Sequence, residues 1–192
     1  MNTTKPRNLA EHKPNIILIG MMGSGKTSVG TAIGNKHGMI FVDTDTVIEE
    51  RSGMLISQIF EEYGETYFRE LEAQAAKVVA GCKNAVIATG GGIILNAKNM
   101  ALLRKIGFVV YLQLEPQQLY NRLKTDTSRP LLANLSNRAK QAKINEIFSR
   151  RAPLYQRYSD FAINNSVIPI TKVARMIFNE YKNHANGENS HN

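Results

Sequence analysis

Residues 15–20 (NIILIG) form a short β-branched run that passes directly into Gly20-Met21-Met22-Gly23-Ser24-Gly25-Lys26-Thr27, and a helical pattern over 26–37 follows. This is G-x-x-x-x-G-K-[ST] with the strand before it and the helix after it that a phosphate-binding loop requires. The chemistry explains the residue types. Glycines let the backbone curl so that successive N–H groups point at phosphate oxygens. The helix that follows adds its positive N-terminal end. Gly23, Ser24, Gly25, Lys26, Thr27 and Ser28 are therefore the expected nucleotide contacts. Lys26 can reach the β- and γ-phosphates, and the Thr27 hydroxyl can ligate Mg²⁺. The motif alone fits a kinase, a motor, a GTPase or an ATP-gated binding protein.

The remaining pattern says what kind of sheet holds that loop. Apolar runs at 39–43, 84–89, 108–114 and near 160–163 read as strands. Helical patterns cover 44–52, 55–62, 66–80, 97–105, 116–124, 138–151 and 170–183. Strands alternating with helices imply a parallel sheet covered on both faces, hence a three-layer α/β/α domain over residues 15–184. Residues 1–14 and 185–192 are polar and read as flexible tails. Segment 125–137 has no apolar period and contains Pro130, which predicts a mobile lid. No run of ~18 apolar residues occurs, so no membrane association is expected. The first residues lack the apolar core of a secretory signal. The one cysteine, Cys82, cannot form an internal disulfide and suits a cytoplasmic setting.

Charge is segregated within a net +8: nine Lys/Arg against two acids between 122 and 157, and nine acids against two arginines between 40 and 75. A basic segment of this kind suits a polyphosphate nucleotide or a nucleic acid. Three further features bear on chemistry. Asp43-Thr44-Asp45 closes the second strand, where ligand crevices of such sheets lie. One acid there can hold a metal-bound water while the other accepts from a substrate hydroxyl, although either also fits a helix N-cap. Gly90-Gly91-Gly92 closes the third strand and permits close backbone approach, or is a plain flexible loop. Arg69 lies in the helical pattern Tyr67-Phe68-Arg69-Glu70-Leu71-Glu72, where a solvated surface charge is the simpler reading.

The phosphate-binding loop, the strand-end D-T-D, the F-R-x-x-E helix, the G-G-G, the R-P-L-L loop and the R-A-P-L-Y helix occur in one order over about residues 15–183. That set resembles the shikimate kinases. The resemblance implies a five-stranded parallel sheet in the order 2-3-1-4-5 and transfer of the ATP γ-phosphoryl group to the 3-hydroxyl of shikimate, with Mg²⁺ as cofactor. It implies a monomer whose partners are ATP and shikimate, with no nucleic acid and no membrane. It places Asp43 in the Mg²⁺ shell through water, and Asp45 on the shikimate hydroxyls as the group that orients or deprotonates the attacking one. Arg69 and Arg151 would clamp the carboxylate, with Gly90, Gly91 and Gly92 lining the pocket by their N–H groups. Arg129, in R-P-L-L, would swing in to meet the transferring phosphoryl group, and Arg122 would stack on adenine. Lys26, Asp45 and Arg129 would thus carry the catalysis.

Two features depart from simple expectation. The fourth strand ends in Leu112-Gln113-Leu114, without the usual metal-binding aspartate, which leaves Asp43 carrying that assignment. Arg150 directly precedes Arg151, so choosing Arg151 depends on the alignment to A-P-L-Y. Two rivals remain: a gluconate kinase of the same fold, and a nucleotide-dependent nucleic-acid binder using the basic segment. The latter lacks an aromatic platform for bases.

Overall fold

In a computed structural model of the chain, which describes residues 14–126, 130–133 and 135–186, five parallel strands lie in the order β2-β3-β1-β4-β5. Every residue of β1, Asn15–Ile19, is buried. It pairs with β3 on one side (Ile17↔Ile87) and β4 on the other (Ile17↔Val109). Ile16 and Leu18 pack with Val29 and Ile33 of α1 (Lys26–His37). Ile17 and Ile19 face the opposite layer, which includes Ala76 and Val79. Burial on both faces is why the strand reads as an unbroken apolar run and not as an alternation.

The chain then alternates as expected. After β2 (Ile40–Asp43) come α2 (Thr44–Ser52) and α3 (Ile56–Val79), and after β3 (Ala85–Ala88) comes α4 (Ala97–Ile106). Strand β4 (Gly107–Gln113) leads to α5 (Pro116–Leu123) and α6 (Asn137–Tyr158), and β5 (Phe161–Asn164) to α7 (Ile170–Ala185). Because all strands run the same way, their carboxyl ends share one edge, and Gly20, Asp43, Thr89, Gln113 and Asn164 all arrive there. Among the described residues no helix is long and apolar enough to cross a membrane.

Three elements differ in detail from the sequence expectation. The helices expected over 55–62 and 66–80 form one element, α3, kinked at Gly64, whose φ of 78° only glycine adopts readily. Helix α6 does not stop at Arg151 but passes through Pro153 to Tyr158. Proline ordinarily ends a helix. Here Tyr155, fully buried and stacked on Tyr111 with ring centroids 5.0 Å apart, fixes the last turns by tertiary packing. Within 125–137, Pro130–Leu132 is a 3₁₀ turn whose Leu132 is fully buried in the core, so this part of the expected lid is packed down. Residues 127–129 and 134 of that segment lie outside the described residues, as do 1–13 and 187–192 of the expected tails.

At the opposite edge of the sheet one buried side chain ties three segments together. Asn15 Nδ2 donates to Cys82 O and to Ile106 O, each at 2.9 Å, and Asn15 Oδ1 accepts from Ala85 N at 3.0 Å. These bonds set where β3 and β4 begin relative to β1. Asn15→Ala leaves an N–H and two carbonyls buried without partners, a cost of about 3–5 kcal/mol. The melting temperature should fall by roughly 6–20 °C. A loss under about 1 kcal/mol would mean that water or neighbours satisfy those groups.

Candidate active site

Strand β1 ends in the glycine-rich turn, which needs positive φ at Gly20, Gly23 and Gly25 (149°, 76° and 91°). Lys26 curls back over the loop. Its Nζ donates to Gly20 O at 2.9 Å and to Met21 O at 3.0 Å. Thr27 Oγ1 donates to Asp43 Oδ2 at 2.9 Å, which joins the loop to the end of β2. The other oxygen of Asp43 caps α2 by accepting from Asp45 N at 3.0 Å. Asp43 therefore caps the helix with one oxygen and ties the glycine-rich loop to β2 with the other. Together with Lys26, Thr27, Ser28, Asp45 and Arg122, it lines a cleft of about 340 Å³. Arg122 Nη1 donates to Gly23 O at 3.2 Å. Ser24 is fully buried, and its N–H bonds Met21 O, so its side chain closes the loop from inside and does not line the cleft.

A second pocket, of about 80 Å³, adjoins the first and shares Met22, Asp45 and Gly91 with it. Arg69, Glu72, the three glycines and Arg151 line it, with Phe60, Phe68 and Leu131 as apolar walls. The guanidinium of Arg69 is held from two sides. Its Nε and Nη2 donate to Glu65 Oε1 at 3.2 and 2.7 Å, and its Nη1 to Glu72 Oε2 at 3.0 Å. Burial opposes the charge on Arg69, but Glu72 and Glu65 outweigh it and hold the pKa above its ordinary value. Arg151 is 7% exposed and its Nη1 donates to Gly91 O at 3.1 Å. Arg150 points outward, with its side chain 76% exposed and 3.8 Å from Glu146. The two neighbours thus differ by which face of α6 they occupy.

The glycines act differently from one another. Gly90 was expected to offer its N–H to the pocket, but that group donates to Thr44 Oγ1 at 2.9 Å. Gly90 instead makes room for two acids: a Cβ there would stand 2.8 Å from Glu72 Oε1 and 2.9 Å from Asp45 Oδ1. Gly91 turns its carbonyl toward Arg151 and toward the Tyr155 hydroxyl, which donates to it at 2.5 Å. Burial pushes the Tyr155 hydroxyl far up, so it remains a neutral donor. A Cβ on Gly92 would overlap the Arg69 guanidinium.

Sequence reasoning missed several supporting residues. Glu72 was visible as the last letter of F-R-x-x-E, three residues from Arg69 on one helical face. Tyr155 lay in the R-A-P-L-Y stretch without an assigned role. Asn165, whose buried Nδ2 donates to Ser24 O at 2.8 Å, carried no signal at all, since its partner is 141 residues away. Arg129 lies outside the described residues. For Mg²⁺ the oxygen donors fit: Thr27 Oγ1 and Asp43 Oδ2 are adjacent in the cleft. Among the described residues no group of three or more His, Cys, Asp or Glu could hold a metal by itself.

The model of the family "Shikimate kinase" matches residues 22–182 of this chain. A shikimate kinase of Thermodesulfovibrio yellowstonii is 42% identical over 174 residues, covering 91% of this chain and 98% of that one. The chain belongs to the shikimate kinase family. A shikimate kinase of Moorella thermoacetica is 44% identical over 85% of this chain and 91% of its own. Among solved structures, the shikimate kinase of Acinetobacter baumannii in complex with shikimate superposes with a TM-score of 0.84 at 34% identity, covering 89% of this chain and 94% of that one. As a family member the chain is an ATP-dependent kinase with an alcohol acceptor, and its sheet order is the one the resemblance implied.

Gly92 offers a direct test of the second pocket. Its φ of −98° suits alanine, so Gly92→Ala should fold. The added methyl displaces an arginine pinned by two carboxylates, and the KM for the acceptor should rise roughly 10- to 100-fold while that for ATP changes little. Steady-state kinetics on the folded variant decide it, and an unchanged acceptor KM would remove Arg69 from the pocket's function.

Proposed function

We propose that this chain transfers the γ-phosphoryl group of ATP to the 3-hydroxyl of shikimate, giving ADP and shikimate 3-phosphate. The observation that carries this is the second pocket: two guanidiniums, half-buried Arg69 and buried Arg151, stand beside Asp45 at the mouth of the phosphate-binding cleft. A hydroxylated monocarboxylate matches that set. The planar forks of the arginines take the carboxylate, and Asp45 takes the hydroxyls.

The transfer follows from position and charge. ATP lays its phosphates in the loop, and Lys26 leaves the Gly20 and Met21 carbonyls for the β- and γ-phosphate oxygens. Arg122, beside Gly23, stacks on the adenine by cation–π attraction. Thr27, and Asp43 through a water, would hold Mg²⁺, which when bound offsets phosphate charge. Asp45 orients the 3-hydroxyl in line with the γ-phosphorus and accepts its proton. Arg129 meets the charge that redistributes during transfer. The amides of Gly91 and Gly92 face the acceptor, and Arg69 and Arg151 fix its far end so that attack is effectively unimolecular.

In this reading the enzyme works as a cytoplasmic monomer on two anionic small molecules, without nucleic acid or membrane. The basic 122–157 segment supports it. Arg122 and Arg151 turn into the two pockets, Lys140 is buried against Lys124 O, and Lys143 pairs with Glu146.

ADP release should be measured with shikimate, with gluconate and with no acceptor. Turnover is expected with shikimate and little with the other two; equal rates on both acids would contradict the reading. In the same assay, Arg69→Ala and Arg151→Ala should mainly raise the KM for shikimate. Loss of one charge-assisted contact, about 2–4 kcal/mol, lowers kcat/KM roughly 30- to 1,000-fold. Arg129→Ala should instead lower kcat, by about 10²–10³-fold. If folded Arg151→Ala leaves that KM unchanged, the carboxylate is held elsewhere.

A further inference from the structure

Glu72 is 1% exposed, more deeply buried than the arginine it holds. Its Oε2 accepts from Arg69 Nη1, but its Oε1 is buried with no hydrogen-bond partner. That oxygen sits at the end of β3 next to Asp45 Oδ1: both lie within 2.9 Å of the point where a Cβ on Gly90 would stand. A carboxylate oxygen in such a place is costly, because it has lost water and gained no donor.

The charges around it come from four elements. Helix α3 itself supplies Arg69, and Glu65 acts through that arginine. The start of α2 supplies Asp45, and α6 supplies Arg151 and the neutral Tyr155 hydroxyl. Lys98 of α4 lines the opening above Glu65, Arg69 and Glu72. Beneath Glu72, the end of β3 contributes only the Gly90 backbone. Burial pushes the Glu72 carboxyl up, Arg69 pulls it down, Asp45 pushes it up, Arg151 pulls it down, and the net displacement is upward. The acceptor now adds a further carboxylate and engages the same two guanidiniums that had favoured the charged form of Glu72.

We propose that Glu72 takes up a proton from solvent as the anionic acceptor seats between Arg69 and Arg151, and releases it when the product leaves. The inference rests on the clamp placement of the previous subsection. Neutral Glu72 offers a hydroxyl on its Oε1 side and relaxes its hold on Arg69, so the guanidinium turns to the acceptor. Transfer does not alter the carboxylate, so the proton stays on Glu72 through the chemical step. Because the bound complex holds more protons than the separated partners, acceptor affinity falls as pH rises. The fall is steepest in the pH range between ionisation of Glu72 in the free protein and its later ionisation in the complex, where the difference in bound protons is greatest. Glu72 is thus a positioning residue whose charge is set by occupancy of the pocket.

Calorimetry of shikimate binding to the full chain, in buffers of different ionisation enthalpy, reads the proton count and the affinity together. We expect about 0.3–1 proton taken up per shikimate near neutral pH, and a Kd that rises by up to about tenfold per pH unit. Glu72→Gln keeps an acceptor for Arg69 and puts a donor at Oε1. It should abolish the uptake and hold the affinity near its low-pH value at every pH. No uptake by the parent enzyme between about pH 6 and 8, with shikimate bound, overturns the proposal. So does uptake that survives in the glutamine variant, or affinity lost at every pH in a variant that still binds ATP, since the fixed charge is then what matters. Should that variant not fold, ¹³C NMR of labelled Glu72 in the parent protein decides: its titration must move upward when shikimate is added. If Arg69→Ala and Arg151→Ala leave the shikimate Kd unchanged, the clamp placement fails first, whatever the proton count.

Discussion

A strand buried on both faces is apolar wherever its side chains find no polar partner, and beyond Asn15 β1 is such a strand. Each of its four apolar side chains removes enough surface from water to contribute about 1.5–3 kcal/mol. This anchors the glycine-rich turn on a fully buried strand. Parallel pairing then dictates where everything else must come. The ends of β2, β3 and β4 arrive at the same edge as the end of β1, bringing Asp43, Thr89 and Gln113 with them. Asn15 secures the register from the other edge. The two pockets touch because two adjacent strand ends, of β1 and β3, leave Met22 and Gly91 side by side.

What distinguishes the pockets is electrostatic. The first is built from loop amides and one lysine, which suit oxygens of a polyphosphate. The second sets two arginines among carboxylates, so that neither guanidinium wanders when no acceptor is bound. Arg69 is held by Glu65 and Glu72, and Arg151 by the Gly91 carbonyl. Long side chains lose entropy when ordered, and ordering them beforehand removes part of that cost from binding.

Local chemistry was legible in the sequence, and long-range contact was not. The glycine-rich turn could be read because its spacing is the function, and the strand-end acids because a sheet of this type puts ligands there. For Asp43 the capping reading holds through one oxygen, and the other accepts from Thr27 in the cleft. Helix α6 looked shorter than it is because Pro153 carries a strong local signal, while the burial of Tyr155 that outweighs it is tertiary. Gly90 could be seen as a point of close approach. The approaching groups, Glu72 and Asp45, come from elsewhere in the chain, and so its N–H was assigned to the pocket when it serves Thr44. Arg150 and Arg151 are indistinguishable by type; only the face of the helix, hence the fold, separates them.

The central claim is that one acceptor bridges the arginine pair and Asp45 while the nucleotide draws Lys26 off its own loop. A crystal structure of the chain with shikimate and a non-hydrolysable ATP analogue tests this most directly. It should show the shikimate carboxylate hydrogen-bonded to both Arg69 and Arg151 and the 3-hydroxyl on Asp45, with Lys26 Nζ moved from the Gly20 and Met21 carbonyls to phosphate oxygens. A carboxylate bound away from the arginine pair, or Lys26 still on those carbonyls with the nucleotide in place, would contradict the account.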